Sequence, residues 1–135
     1  MNGRLIDVRL GLIHHIALIG HELERTRAFY VDKLGFEVMA QHQRADKGDI
    51  KLDLAKGSIH LEIFIKPAAP QRLTFPVGEA TGLRHLAFKV EDVVQTAMEL
   101  KKLGIETEPI RKDTFTGEKM TFFFDPDGLP LEIHE

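Results

Sequence analysis

Ile13-His14-His15-Ile16-Ala17-Leu18 and Leu83-Arg84-His85-Leu86-Ala87-Phe88 stand 70 positions apart. They share His and Ala, and apolar residues replace one another at three other positions. Working outward, Ile59-His60-Leu61-Glu62-Ile63 falls over Leu129-Pro130-Leu131-Glu132-Ile133 at the same offset of 70. Between these blocks Leu34-Gly35-Phe36 matches Leu103-Gly104-Ile105 at 69, so the register slips by one and recovers. Each half therefore runs 47 residues from a His to a Glu. Apolar residues alone can repeat by chance; a repeat that returns His and Glu to the same places points to one unit written twice.

Each unit reads as strand, helix, then three strands. In the first, a strand over about 12–19 precedes a helix over about 22–34, with Leu23, Tyr30 and Leu34 on one stripe and Gly35 just past its end. Strands follow at about 36–44, 49–54 and 58–65, turned by Lys47-Gly48 and Lys56-Gly57. In the second, a strand at about 83–90 precedes a helix over about 92–103, with Asp92 as N-cap and Gly104 as stop. Strands at about 105–112, 118–124 and 129–134 follow, turned by Thr116-Gly117 and Asp125-Pro126-Asp127-Gly128. Residues 67–82 hold Pro67, Pro70, Pro76, Gly78 and Gly82 and read as a connector. The expected organisation is one domain over 1–135, with module one at about 12–66 and module two at about 83–135. The fold class is α+β: two tandem βαβββ modules forming a curved mixed sheet around a metal cavity.

Composition narrows the function. The chain has 135 residues, 18 Lys+Arg against 21 Asp+Glu, and a formal charge of −3. That balance lacks the basic surplus of a nucleic-acid binder. The absence of cysteine rules out disulfides, thiolate metal sites and cysteine nucleophiles. Apolar runs are too short to span a bilayer, and the first eleven residues carry no signal-peptide pattern, which points to a cytoplasmic protein. No P-loop, dinucleotide fingerprint, zinc-protease helix or nucleophile elbow is present.

Strand side chains alternate between faces. Leu86, Phe88 and Val90 form the face expected to meet the helices, which turns His85 to the opposite, concave side; His15 follows by equivalence. Leu61, Ile63 and Ile65 likewise turn Glu62 away from the helices, and Leu129, Leu131 and Ile133 do the same for Glu132. One Glu or one His alone reads as an ordinary polar residue. Two equivalent pairs together, His15, Glu62, His85 and Glu132, read as a site for one divalent ion such as Ni, Co, Zn, Mn or Fe(II). The two carboxylates balance its charge, and without a cation they would repel one another. His60 and His134 share faces with the two Glu, but their repeat counterparts are Pro130 and Phe64. Phe122-Phe123-Phe124 reads as core and cavity wall.

His15-Ile-Ala-Leu, Phe29-Tyr30 with Leu34-Gly35-Phe36, Leu61-Glu62-Ile63, Arg84-His85-Leu86-Ala87-Phe88, and Asp125-Pro126-Asp127-Gly128 with Leu131-Glu132-Ile133 resemble the vicinal-oxygen-chelate superfamily. That group holds glyoxalase I, bleomycin-resistance proteins, extradiol dioxygenases, fosfomycin-resistance enzymes and methylmalonyl-CoA epimerase. The likeness covers about residues 12–135, and the quartet is most similar to that of bacterial glyoxalase I. The resemblance implies a metal-dependent lyase or isomerase acting on a small α-oxo compound or hemithioacetal by proton transfer through an enediolate. It gives Glu132 the role of base, shared by Glu62. It also implies a small-molecule substrate, a thiol cosubstrate and a homodimer whose sites lie within one chain or across two. The alternatives on this scaffold are an epimerase or thiol transferase, and a non-catalytic binding or resistance protein. Ile19 and Lys66 stand where glutathione-using bacterial members often carry Arg and Asn, so the thiol partner is expected to differ.

Overall fold

Two sheets, each built on the same plan, organise the chain. In the computed structural model, residues 6, 8–73 and 78–135 are described. Strand β1 (Ile16–Gly20) leads into α1 (Leu23–Arg27), which widens into a π-helical turn, Ala28–Lys33. Strands β2 (Glu37–Arg44), β3 (Asp49–Lys56) and β4 (Ile59–Ile65) follow. The second half repeats the order with β5 (Leu86–Lys89), α2 (Val93–Lys102), β6 (Arg111–Lys112), β7 (Lys119–Phe124) and β8 (Pro130–His134). The strands pair in the orders β1-β4-β3-β2 and β5-β8-β7-β6. In each sheet the outer strand runs parallel to the last one, with Ala17 opposite Glu62 and Ala87 opposite Glu132. The α+β fold of two βαβββ modules is therefore observed, as a pair of four-stranded mixed sheets.

Local chemistry explains where elements stop. Gly35 (φ 82°) and Gly104 (φ 80°) take the left-handed conformation that ends each helix, a conformation other residues adopt at a cost. The Asp92 carboxylate accepts the Gln95 N–H at 3.0 Å and caps α2. Three strands are shorter than their patterns predict. Pairing starts at Ile16, opposite Leu61, and at Leu86, opposite Leu131, not at Leu12 and Leu83. The sixth strand was expected over about 105–112, but only Arg111–Lys112 joins the ladder. Pro109 has no N–H to contribute there, and the Thr121 hydroxyl donates to the Glu108 carbonyl instead, at 2.7 Å.

The core is common to both halves. Leu52, Leu54, Leu61 and Ile63 from the first sheet join Val93, Phe123, Leu131 and Ile133 from the second half in one buried cluster. The π-helical turn carries Phe29 and Tyr30, both buried, across the boundary. Phe29 packs on Phe123 with ring centroids 6.3 Å apart, and the Tyr30 hydroxyl donates to Asp125 at 2.7 Å. Burial, then the neighbouring Asp125 charge, holds the Tyr30 phenol far above its ordinary pKa, so it stays a donor. Burial also pushes the Asp125 carboxyl up, against hydrogen bonds from Tyr30, Leu129 and Asp127 that favour its charged form. Nearby, Asp127 accepts from Arg25 at 3.0 Å and lies 2.9 Å from His21 Nδ1, while His21 Nε2 meets the Ala69 carbonyl at 2.7 Å.

Candidate functional site

The repeated register sets each Glu beside its own His. Glu62 lies mid-β4, next to the position where β1 begins, and His15 immediately precedes β1. His15 Nε2 stands 3.5 Å from Glu62 Oε1. Glu132 holds the same place in β8, and His85 immediately precedes β5. His85 Nε2 stands 3.1 Å from Glu132 Oε1. The apolar alternation is as expected: Leu61, Ile63, Ile65, Leu129, Leu131 and Ile133 are all buried.

The structure thus joins the expected quartet two by two. Among the described residues of one chain, no three His, Asp or Glu side chains converge in a way that could hold a metal ion. His60 is exposed, and His134 Nε2 is engaged with Asp113 at 3.1 Å. Backbone N–H groups of Phe115 and Thr116, with His134, hold the Asp113 carboxyl below the usual carboxylate range.

The two pairs sit in different surroundings, and the cross-strand neighbour decides which. Opposite Glu62 on β3 is Asp53; opposite Glu132 on β7 is Phe122. In the first half Lys51 Nζ lies 3.1 Å from Asp53 Oδ1 and 3.6 Å from Glu62 Oε1. The hydrogen bond to Asp53, with the charges of Asp53 and Glu62, pushes the Lys51 ammonium above its ordinary value. His42 Nε2 lies 3.8 Å from Asp53. In the second half His85 meets the Phe122 ring edge-on, with centroids 5.1 Å apart, and Glu132 is only 7% exposed. No ammonium or guanidinium lies within ion-pair distance of Glu132 among the described residues.

A cavity of about 870 Å³ opens beside His85, walled by Phe122 and Phe124. Phe123, between them, points the other way and is buried in the core. The phenylalanine run therefore supplies both core and wall, as its alternation implies. Lys51 and Asp53 were not singled out from the sequence, although period-two alternation on β3 places them on the Glu62 face. His21 and Asp127 also escaped notice as an inter-half contact, because their partners lie in the other half.

This chain belongs to the Glyoxalase/Bleomycin resistance protein/Dioxygenase superfamily, whose pattern matches residues 12–133. It is 53% identical over 124 residues to YwkD of Bacillus subtilis (strain 168), covering 91% of this chain and 95% of that protein. The crystal structure of a glyoxalase family protein from Enterococcus faecalis is 58% identical, with a TM-score of 0.88 over 92% of this chain and 97% of that one. At the level of fold alone, the trypanothione-dependent glyoxalase I of Leishmania major superposes with a TM-score of 0.69 at 23% identity, over 93% of this chain and 87% of that one. The mitochondrial methylmalonyl-CoA epimerase of Mus musculus is 25% identical over 132 residues, covering 94% of this chain and 74% of that protein, and the fosfomycin resistance protein FosX of Listeria monocytogenes shares the fold alone, with a TM-score of 0.71 at 21% identity.

Proposed function

We propose that this protein is a metal-dependent glyoxalase-type lyase or isomerase of small α-oxo compounds, with each site assembled from the first half of one chain and the second half of another. The observation that carries this reading is the pairing itself. Each half presents one imidazole and one carboxylate at equivalent positions, and among the described residues of one chain neither pair is joined by a third donor. Each pair also borders an edge strand, β1 or β5, with an outer side that no described strand covers. Two such edges meeting in a two-fold dimer would bring His15 and Glu62 to the partner's His85 and Glu132.

The donor chemistry fits a divalent ion of the Ni, Co, Zn, Mn or Fe(II) group: two neutral imidazoles and two carboxylates, with no thiolate. Bound by His15, Glu62, His85 and Glu132, such an ion would supply Lewis-acid stabilisation to substrate oxygens. The chain's own residues divide the remaining work. Glu132 is the proton carrier between adjacent substrate carbons: it is sheltered from water and tied to no lysine or arginine, whereas Glu62 is engaged by Lys51. His85 is steadied by the edge of Phe122, which fixes the orientation of its ring. Phe122 and Phe124 keep water from the wall on which the substrate lies.

Mixing two inactive chains tests the assembly. One carries His15→Ala with Glu62→Ala, the other His85→Ala with Glu132→Ala. A mixed dimer built across chains contains one intact quartet and regains metal binding and turnover of methylglyoxal with one of a panel of thiols. Sites closed within single chains would regain neither. The second reading is epimerase chemistry, favoured by two carboxylates of equivalent placement. Deuterium uptake from solvent with scrambling at a single carbon, and no carbon-to-carbon transfer, would select it.

A further inference from the structure

We infer that the cavity beside His85 is a subsite for an anionic arm of the substrate, a carboxylate or phosphate group gripped by Arg72 and Arg111 over an aromatic wall. This deepens the reading above and rests on His85 and Glu132 belonging to the reacting site. The cavity carries three guanidinium groups, from Arg72, Arg84 and Arg111, against two carboxylates, from Glu79 and Glu108. They are not equally committed. Arg84 spends Nε and Nη2 on Glu79, and that bond holds the Glu79 carboxyl below the usual carboxylate range. Arg111 gives Nη1 to Glu108 at 3.2 Å and lies over the Phe122 ring, 5.4 Å from its centroid. Arg72 uses Nη2 on the Leu83 and Arg84 carbonyls, at 3.2 and 3.1 Å. No carboxylate lies within ion-pair distance of Arg72 among the described residues, and its remaining N–H donors and those of Arg111 have no partner there.

A guanidinium fixed by backbone carbonyls, with its other edge unspent, is a preorganised fork for an oxyanion. The Phe122 ring beneath it and the bond to Glu108 restrain the Arg111 guanidinium, so less conformational freedom is lost when an anion arrives. Size points in the same direction. A cavity of about 870 Å³ exceeds what a three-carbon aldehyde fills, and its apolar wall of Phe122 and Phe124 suits an organic body between the reacting carbons and the charged end. The substrate class is therefore an α-oxo compound that bears an apolar body and an oxyanion, either of its own or on the thiol it is joined to.

Binding to the metal-free protein separates this inference from the catalytic one. With EDTA present, phenylglyoxylate, its neutral amide and inorganic phosphate are each titrated into the full chain. Binding is read by thermal stabilisation and by NMR shifts of the phenylalanine rings. Phenylglyoxylate should bind and its amide should not, and added salt should weaken the anion. Phosphate binding at least as tightly as phenylglyoxylate identifies a phosphorylated substrate; phosphate binding more weakly identifies an oxo acid. Arg72→Gln with Arg111→Gln should weaken anion binding about tenfold or more. If that double variant does not fold, Arg72→Lys and Arg111→Lys decide, each keeping the charge but losing the fork and several-fold in affinity. Equal binding of acid and amide, or variants that bind like the parent, overturns the proposal. The mixed-dimer experiment touches neither arginine, and the titration needs no metal or turnover, so each result stands by itself.

Discussion

The two halves share a backbone plan and a His–Glu pair, yet they surround that pair with opposite chemistry. In the first half a lysine and an aspartate crowd Glu62; in the second a phenylalanine shields Glu132. The divergence falls on the strand next to the Glu, at Asp53 and Phe122, which face equivalent register positions. The two halves keep the His–Glu pair and differ in what stands beside it. A symmetric pair of carboxylates is thereby given two different settings, one charged and one dry.

The sharpest way to break this comparison is to remove one carboxylate at a time. Glu132→Gln should lower kcat by about a hundred- to ten-thousandfold, the usual worth of a positioned proton carrier. Glu62→Gln should cost much less in kcat for the same loss of metal affinity. Steady-state rates at saturating metal check this, and equal losses would mean that the two settings are functionally alike.

The contact between halves comes next. Tyr30→Phe removes the hydroxyl that donates to Asp125 and leaves a buried carboxylate oxygen unsatisfied. A loss of about 1–3 kcal/mol in unfolding free energy is expected, measured by urea denaturation. A smaller effect follows from the lysine. Lys51→Met removes a cation 3.6 Å from Glu62, so divalent-metal binding should tighten several-fold rather than weaken. Competition against a chelator reads the change, and weaker binding would show that Lys51 supports the donor instead of competing with it.

The finest distinction is in pH. Asp49 in β3 is held well below the usual carboxylate range by hydrogen bonds from Arg44, at 2.7 Å, and Lys66, at 2.6 Å. Its stabilisation is complete above the unfolded value of about 3.9 and fades as pH falls toward its lower folded value. Asp125 in the second half is raised by burial, so its sign reverses: it favours folding below about pH 3.9 and loses that contribution as pH climbs through its folded value. Asp49→Asn should flatten the rise of stability between acid and neutral pH, and Asp125→Asn should steepen it. Thermal unfolding across that range measures both slopes.

Much of the architecture was legible because the information is local or repeated. The 70-residue offset identified both modules, and glycines at 35, 48, 57 and 104 marked turns that do take positive φ. Alternation placed Glu62 and Glu132 away from the helices, and each does stand beside its expected His. What escaped was non-local. No periodicity says that Phe29 will pack on Phe123, or that Asp125, read as a turn residue, will hold a tyrosine from the other half. The sixth strand was overextended because Pro109 lies within its apolar pattern and breaks the ladder there. The proposed convergence of the quartet has no signature in one chain's pattern, since it would depend on which edges meet.

The core shared between the halves carries a consequence for how the molecule can be taken apart. With Phe29 lodged on the second half's sheet and Tyr30 bonded to Asp125, the two halves share one buried apolar cluster. A chain severed between its modules should yield two fragments that are unstructured singly and fold only on meeting. That would make this scaffold a natural candidate for split-protein reporters of molecular proximity.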